Sequence, residues 1–297
     1  MSGGILVDKF NFKPVIIIGA ARSGTNMLRD VLTSIDEFST WPCDEINYIW
    51  RYGNREREDD EFTAEDVNSQ NKAYIRNEFK KFHNKYNTDY IIEKTCANSL
   101  RVDYVNEIIP EAKYIHIYRD PVDVSASAKK RWKAPLDLKY ILKKARYVPL
   151  QDIPYYAFKY FKNRIKRFTN KEKKLEYWGP KFKNFKKTIA GKSLIEISAI
   201  QWQKSVSNSY NSFSKLNKEV MHIAYEDFVA DPTAELKNII EFINPELIDE
   251  QKIKVAVEKV SDRSVGKGYR ELSKVEVKTI KEISDDAYNK VKRLADE

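Results

Sequence analysis

The fold is decided by the stretch Lys13-Pro-Val-Ile-Ile-Ile-Gly19-Ala-Ala-Arg-Ser-Gly24-Thr25-Asn26. Its first half is a continuous apolar run that ends in glycine, as is typical of a strand buried on both faces of a parallel sheet. A helical pattern follows, and its apolar face is formed by Met27, Leu28, Val31 and Leu32. A strand, a glycine-containing loop and a helix in this order direct backbone N–H groups and a helix N-terminus at an anion such as a phosphate.

Glycine is scarce in this chain, which makes the two glycines of the loop informative. Only 9 glycines occur among the 297 residues, about 3% against a usual ~7%. Many strand-to-helix turns use glycine simply to bend, so the loop alone is moderately specific. A nucleotide kinase would carry Lys after the second glycine, where Thr25 stands. No clear acidic magnesium partner ends a later strand, which further disfavours a kinase or an ATPase.

Further apolar runs repeat the pattern of a strand followed by a loop and a helix. They lie at 90–92, 113–118 and 220–224. This alternation predicts an α/β chain with a three-layer, P-loop-like fold and a central parallel sheet. We expect one domain over 1–297, with a large helical insert at 129–217 that covers the carboxyl edge of the sheet, where ligands bind in open α/β folds.

The composition excludes several protein classes. With 42% hydrophobic and 33% charged residues, the chain supports a sizeable core. Its longest apolar run, at 15–21, is far shorter than the roughly 20 residues that cross a bilayer, and the N-terminus lacks the regions of a signal peptide. Cys43 and Cys96 are too few for a disulfide framework and lack metal-site spacing. These features predict a cytoplasmic protein without a metal site, and they leave a membrane-bound partner possible.

The positive charge is concentrated in one segment. Residues 129–192, called here the basic segment, hold 21 Lys and Arg against 4 acids, together with 13 aromatic residues. The rest of the chain has more acids than bases. Such a segment can be a solvated helical face with ordinary core aromatics. Basic and aromatic side chains together also suit a polyanion, a glycan or a membrane surface.

A second motif lies at 114–127, around the end of the strand predicted there. Arg119 leaves the strand, Pro121 suits the first turn of a helix, and Ser127 lies eight residues beyond the arginine. The fork-shaped guanidinium and the hydroxyl can then share one phosphate. A structural alternative is an ion pair between Arg119 and Asp123 at the start of the helix.

These motifs resemble the sulfotransferases that use 3′-phosphoadenosine 5′-phosphosulfate (PAPS), in particular the bacterial and Golgi-like branch whose loop reads Arg-Ser-Gly-Thr. The resemblance covers the loop at 19–26, the step Glu93-Lys94-Thr95, the motif at 119–127 and Tyr225-Glu-Asp-Phe228. It does not cover the insert. It implies an enzyme that transfers a sulfuryl group from PAPS to an acceptor hydroxyl, releases 3′-phosphoadenosine 5′-phosphate (PAP) and does not require magnesium.

The resemblance also implies roles for individual residues. The 5′-phosphosulfate would be held by Arg22, Ser23, Gly24, Thr25 and Asn26. Arg119 and Ser127 would hold the 3′-phosphate, and Tyr225 would lie near the adenine. Lys94 and Arg22 would be the electrostatic catalysts, because cations must stabilise the leaving phosphate and the transferring oxygens; the alternative for Lys94 is an ordinary surface lysine.

The general base is sought in the loop Trp41-Pro-Cys-Asp44-Glu45-Ile-Asn47, where related enzymes place a glutamate. Glu45 is our choice and Asp44 the runner-up, while helix-capping and first-turn roles would explain both acids without catalysis. Histidine is the base in another branch, but core or surface roles are expected here for His83, His116 and His222. In a late loop at 262–270, Ser264 would reach the sulfate and Lys267 or Arg270 the 3′-phosphate, unless the loop is a plain surface turn.

The acceptor is predicted from the basic segment, since the donor motifs do not specify it. We expect a carbohydrate hydroxyl, on an anionic glycan or its lipid-linked precursor, with possible peripheral contact to a membrane and no nucleic acid. Protein tyrosine and small hydroxylated metabolites are the enzymatic alternatives. A different class also stays open, a polyanion-binding protein that has lost catalysis, although intact Arg22, Lys94, Arg119 and Ser127 argue against it.

Overall fold

A computed structural model of the chain describes residues 9–132, 146–156, 158 and 178–296. Within them, one five-stranded sheet has the order β2-β3-β1-β4-β5, and all of its pairings are parallel. Its strands are β1 (Lys13–Ile18), β2 (Phe38–Ser39), β3 (Tyr90–Glu93), β4 (Lys113–Tyr118) and β5 (Val220–Ala224). The prediction of a central parallel sheet is confirmed.

Helices connect the strands and cover the sheet. Those that precede residue 133 are α1 (Thr25–Leu32), α2 (Asn47–Trp50), α3 (Ser69–Tyr86), α4 (Val102–Ile108) and α5 (Pro121–Trp132). Those that follow residue 178 are α6 (Phe185–Ile189), α7 (Leu194–Phe213), α8 (Tyr225–Ala230), α9 (Pro232–Ile243), α10 (Glu250–Val257), α11 (Lys267–Glu271) and α12 (Lys274–Asp296). None of the helices in these described ranges is long and apolar enough to span a membrane.

The strand β1 shows why the fold has three layers. Ile16 and Ile18 face one core, which also contains residues of α3 and α4. Val15 and Ile17 face the other core, which contains residues of α1 and α9. Because successive side chains of a strand point to opposite faces, a run of apolar residues without polar interruptions buries both faces of the sheet.

Local sequence signals set several helix boundaries. Asn68 caps α3 by accepting a hydrogen bond from the backbone N–H of Asn71, and Asn71 Oδ1 accepts one from the backbone N–H of Asn68. Ser193 and Glu196 form the same reciprocal arrangement at α7. Such capping boxes satisfy backbone donors that the first helical turn leaves unpaired.

The topology places the predicted site residues along one edge. Strand β1 lies between β3 and β4, and the strands run parallel. The residues that directly follow these three strands, Gly19, Lys94 and Arg119, therefore meet at the carboxyl edge, where the strand order reverses and ligands bind in open α/β sheets. The predicted insert at 129–217 lies partly outside the described residues; within its described part, α7 packs against α5 and α12.

Candidate active site

The loop between β1 and α1 needs its glycines for two steric reasons. A Cβ added to Gly19 would lie 2.5 Å from the carbonyl oxygen of Ile117. Gly24 has a φ of +92°, and a Cβ there would lie 2.4 Å from the Tyr225 ring. Arg22 also has a positive φ, 75°, in a region that non-glycine residues rarely adopt. The backbone is therefore held in a tight, strained turn directly before α1.

Polar groups at this turn suit an anion. Gly24 is the N-cap of α1 and supplies no side chain to it, so the first N–H groups of the helix lack intrahelical acceptors. The Ser23 side chain is fully buried, and its hydroxyl has no hydrogen-bond partner in the part of the chain that the structure describes. A buried hydroxyl without a partner is unfavourable, and an oxyanion seated on the loop would provide the missing partner.

Lys94 directly follows β3 and is buried, so the alternative of a surface lysine is wrong. Its side chain is 1% exposed, and its Nζ lies 3.0 Å from Asp44 Oδ1 and 3.3 Å from Glu45 Oε1. Burial acts to lower the pKa of Lys94, but the charges of Glu45 and Asp44 outweigh it, and the pKa is raised. A fixed cation therefore lies between the two candidate bases.

Asp44 and Glu45 differ in their other contacts. Asp44 Oδ1 accepts a hydrogen bond from Arg29 Nη1 at 2.8 Å, and the same guanidinium nitrogen donates to the Asp44 carbonyl. Glu45 Oε1 instead accepts from the backbone N–H of Cys96 at 3.2 Å. Helix α2 has Ile46 as its N-cap and no acid in its first turn, so neither acid has the capping role considered as an alternative.

Glu93 is a buried carboxyl that the sequence analysis left without a role. It accepts hydrogen bonds from Thr95 Oγ1 at 2.6 Å and Asn98 Nδ2 at 2.8 Å. Burial raises its pKa to about 7. Thr95 Oγ1 also accepts from the backbone N–H of Ile46, so this network fixes the loop that carries Glu45.

At the end of β4, Arg119 is nearly enclosed. Its guanidinium lies 4.1 Å from the centroid of the Tyr225 ring, and its Nη2 donates to the carbonyl of Ser264 at 2.6 Å. The ion pair with Asp123 considered above is present, at 3.5 Å, but it does not satisfy the whole side chain. The buried Nε has no hydrogen-bond partner among the described residues, which leaves one donor for an anion.

Ser127 and Arg22 meet across the site. Arg22 Nε donates to Ser127 Oγ at 3.0 Å, although the two residues are 105 positions apart. Burial lowers the pKa of Arg22, and the positive charges of Arg131 and Arg119 lower it further. Arg131 was not predicted from the sequence. The feature that could have identified it is its position one helical turn beyond Ser127 on α5. The excess of positive charge at this point suits a multiply charged anion.

One of the residues predicted in the late loop, Ser264, lies beside Tyr225 and Arg119. Ser264 Oγ lies 2.6 Å from Tyr225 Oη. Lys267 and Arg270 are exposed: Lys267 pairs with Glu271 at 3.9 Å, and Arg270 donates to the carbonyl of Val265. The structure therefore brings Ser264 to Arg119 and Tyr225, and it gives the two cations contacts within their own segment.

The histidines occupy other parts of the fold. His116 on β4 lies 3.1 Å from Ser209 Oγ and 3.1 Å from His222 of β5, and burial followed by the His222 charge lowers its pKa. His83 near the end of α3 contacts the carbonyl of Thr88. The described ranges contain no group of three or more His, Cys, Asp or Glu that could hold a metal ion.

The known proteins that are similar to this chain in sequence pattern or in structure are sulfotransferases. The model of the sulfotransferase family matches residues 14–175, more than half of the chain. A search of curated proteins finds no match. Among solved structures, a sulfotransferase from Alicyclobacillus acidocaldarius is similar, with 15% identity, a TM-score of 0.52 and coverage of 98% of this chain and 97% of that chain.

Two further structures show the same likeness. The sulfotransferase STF9 from Mycobacterium avium has 12% identity and a TM-score of 0.53, with 93% of this chain and 76% of that chain covered. Mouse SULT7A1, complexed with PAP, has 14% identity and a TM-score of 0.50, with 98% of this chain and 91% of that chain covered. At these identities the likeness shows the fold.

Proposed function

Because this chain belongs to the sulfotransferase family, we propose that it sulfates a carbohydrate hydroxyl, on an anionic glycan or its lipid-linked precursor. The coarser activity follows from the family itself: the protein is a PAPS-dependent sulfotransferase that transfers a sulfuryl group to a hydroxyl-bearing acceptor. The assignment of individual residues and the nature of the acceptor are the proposal.

The donor site is assigned to residues at the carboxyl edge, two of which, Ser23 and Arg119, have a buried side-chain atom without a hydrogen-bond partner among the described residues. Arg22, Ser23, Gly24, Thr25 and Asn26 would hold the 5′-phosphosulfate. The partnerless Ser23 hydroxyl and the steric need for Gly24 support this seat. Arg119 and Ser127 would hold the 3′-phosphate, and the partnerless Nε of Arg119 supports that role. Ser264 and Tyr225 would line the nucleotide, with Lys267 and Arg270 as further cations of the same loop.

The chemistry requires one proton acceptor and fixed positive charge. The donor supplies an activated sulfuryl group: the bond from sulfur to the acceptor oxygen forms, and the bond from sulfur to the phosphate oxygen breaks. Glu45 takes the proton of the acceptor hydroxyl. Lys94 and Arg22 stabilise the negative charge that develops on the transferring and leaving oxygens. Lys94 is suited to this because its buried ammonium is held by two carboxylates.

The acceptor proposal rests on aromatic side chains beside the candidate base. Tyr48 lies three residues beyond Glu45, and its ring centroid is 4.8 Å from that of Tyr156. Tyr155 is 5.3 Å from Tyr156, and the Arg55 guanidinium lies over the Tyr155 ring at 5.5 Å. Flat rings suit the faces of sugars, and the 21 bases of the basic segment suit acidic groups. This cluster is the observation that carries the carbohydrate assignment.

Exposed apolar side chains next to this cluster favour a lipid-linked acceptor and contact with a membrane. Leu150 is 85% exposed, Phe158 70% and Ile153 45%. All three lie inside the basic segment, within one stretch of nine residues. Apolar side chains flanked by many bases are suited to the surface of an anionic bilayer. We also place the enzyme in the cytoplasm, because its only two cysteines, Cys43 and Cys96, are not joined in a disulfide.

A transfer assay tests the acceptor. Sulfur-labelled PAPS is incubated with the enzyme and, separately, with a uronic-acid glycan, its carboxyl-reduced form, a tyrosine peptide and a small phenol. We expect label in the acidic glycan, less in the reduced glycan, and loss of transfer with Glu45→Gln. Preferential labelling of the peptide or the phenol would replace the carbohydrate proposal with one of those acceptors and leave the sulfotransferase assignment intact.

A further inference from the structure

Asp123 makes contacts that neither the donor site nor the catalytic step explains. It lies in the first turn of α5, and its side chain is 2% exposed. Its Oδ2 accepts a hydrogen bond from the backbone N–H of Gly266 at 2.7 Å, and its Oδ1 accepts one from Gly268 at 2.6 Å. A buried carboxylate thus joins α5 to a loop more than 140 residues later in the chain.

The two glycines of that loop are required by this contact. Gly266 has a φ of +67° and is the N-cap of α11. A Cβ added to Gly268 would lie 2.5 Å from the carbonyl oxygen of Val122 and 2.9 Å from the backbone nitrogen of Asp123. The loop backbone can approach α5 this closely only because Gly268 has no side chain.

The loop so held forms one wall around Arg119. Ser264 accepts from Arg119 through its carbonyl and contacts Tyr225 through its hydroxyl. Asp123 itself lies 3.5 Å from Arg119 Nη2. The guanidinium is therefore enclosed by Asp123, Ser264 and the ring of Tyr225. Loss of the Asp123 contacts would free the loop and with it Ser264, one of these three neighbours.

We propose that Asp123 is a positioning residue that fastens the loop 261–268 to α5 and so assembles the 3′-phosphate end of the donor site before the donor binds. The inference rests on the donor site proposed above. Asp123 does not touch the donor. Its negative charge is compatible with a phosphate nearby because two N–H groups and Arg119 already surround the carboxylate.

Asp123→Ala tests this fastening of the loop by Asp123, called here the clamp. Asp249→Ala is a matched control. Asp249 also accepts two backbone N–H groups, from Gln251 and Lys252, but it caps α10. In Asp123→Ala we expect the KM for PAPS and the Kd for PAP to rise at least tenfold. The KM for the acceptor and kcat at saturating PAPS should stay within about twofold. The control should leave all four constants unchanged.

Limited trypsin digestion measures the loop directly, without the reaction. Arg263 and Lys267 are cleavage sites in the loop. Cleavage of unliganded Asp123→Ala should be at least fivefold faster than that of the wild type and the control, and PAP should slow it. Gly266→Ala, which strains the loop and keeps the carboxylate, should change the same readouts if Asp123→Ala does not fold.

The outcomes separate the clamp from the donor assignment. Wild-type rates of cleavage and an unchanged KM for PAPS in both variants would overturn the clamp. A fall in kcat with an unchanged KM for PAPS would also overturn it, because the loop would then act in the chemical step. If cleavage accelerates in the variants but PAP fails to bind the wild type, the clamp stands and the proposed donor seat fails.

Discussion

Lys94 shows how its surroundings decide the role of a single side chain. A lysine after a strand is ordinarily solvated, yet this one is 1% exposed and lies between two carboxylates. An isolated buried ammonium would lose its proton, because burial disfavours the charged form. Glu45 and Asp44 prevent this and keep the charge in place. The cost of burying the charge indicates a role in stabilising negative charge at this edge of the sheet.

Two substitutions at this point should impair turnover without impairing donor binding. We expect Lys94→Ala and Glu45→Gln each to lower kcat by roughly 10²-fold or more, since the roles proposed for both groups lie mainly in the transition state. The rise in melting temperature caused by PAP should persist in both variants. Steady-state kinetics and thermal unfolding measure the two effects.

Asp44→Asn is the comparison for the base. Asp44 is held by Arg29 and Lys94, so we expect a smaller loss of turnover than in Glu45→Gln. If Glu45→Gln turns over almost normally while Asp44→Asn does not, the base is Asp44.

Glu93 allows a prediction of pH dependence. Its pKa is raised by burial from 4.5 to about 7, so the folded state favours the protonated carboxyl. Between these values the folded state binds the proton that the unfolded state has lost, and this group lowers the free energy of unfolding as the pH rises. Above about pH 7 this loss in the free energy of unfolding is complete, and it is on the order of 3 kcal/mol for such a shift. Below pH 4.5 it is absent.

Glu93→Gln should therefore gain stability relative to the wild type as the pH rises from 4.5 to 7. Urea unfolding at pH 4.5, 6 and 8 measures the difference. Glu111→Gln is the control of opposite sign, since hydrogen bonds and charge from Arg76 outweigh burial and lower the pKa of Glu111; its loss of stability should grow as the pH rises through the range of a normal carboxyl. A difference for Glu93→Gln that does not vary with pH would mean that the carboxyl stays ionised.

At the scale of elements, the sequence predicts what is local. The apolar runs at β1, β3, β4 and β5 are long enough to identify strands, and the residue that follows each strand lies at the candidate site. Strand β2 covers only Phe38–Ser39, too short for a pattern. The contacts of Asp123 with Gly266 and Gly268 could not be predicted, because these partners lie more than 140 residues further along the chain. Glu93 has partners close in sequence, Thr95 and Asn98, but its burial is set by tertiary packing. Arg131 could not be singled out from the sequence, because many other Lys and Arg residues surround it there.

The spacing of Arg119 and Ser127 on β4 and α5 carries the prediction about the donor. PAP should raise the melting temperature without magnesium, and AMP, which lacks the 3′-phosphate, should raise it much less, because a ligand stabilises the folded state in proportion to its affinity. Arg119→Ala should remove most of the difference, about 1.5–3 kcal/mol for a charge-assisted contact. Equal shifts from PAP and AMP in the wild type would exclude the assigned 3′-phosphate site.

For the molecule as a whole, the unexplained feature is the separation of charge. The proposed donor site needs only a few cations, and it already includes Arg22, Lys94 and Arg119. The basic segment adds 21 more against 4 acids, while the remainder of the chain is acidic. Of its described residues, Lys183 and Lys187 are exposed. A field of this size steers anionic ligands and is screened by salt over about 10 Å at 0.1 M.

If the basic segment recruits an acidic acceptor, the KM for that acceptor should rise steeply as salt passes ~0.1 M, while kcat should change less. Reversing bases of the segment to glutamate should likewise raise this KM and spare PAP binding. The bases reversed are Lys162, Arg164, Lys166 and Arg167, which lie outside the described residues. The control reverses four exposed lysines elsewhere, Lys215, Lys254, Lys259 and Lys278.

The same two variants separate an acceptor-binding role from a membrane-docking role. Docking predicts that vesicles with an anionic phospholipid bind the wild type and the control but not the variant reversed in the basic segment, with the KM for soluble glycans unchanged. Recruitment of the glycan predicts the converse. If both reversals act alike, only net charge matters, and if neither measurement responds, the segment is a solvated face. In both of those cases the acidic-acceptor proposal loses its electrostatic support, and the Tyr48, Tyr155 and Tyr156 cluster would have to determine the acceptor through packing alone.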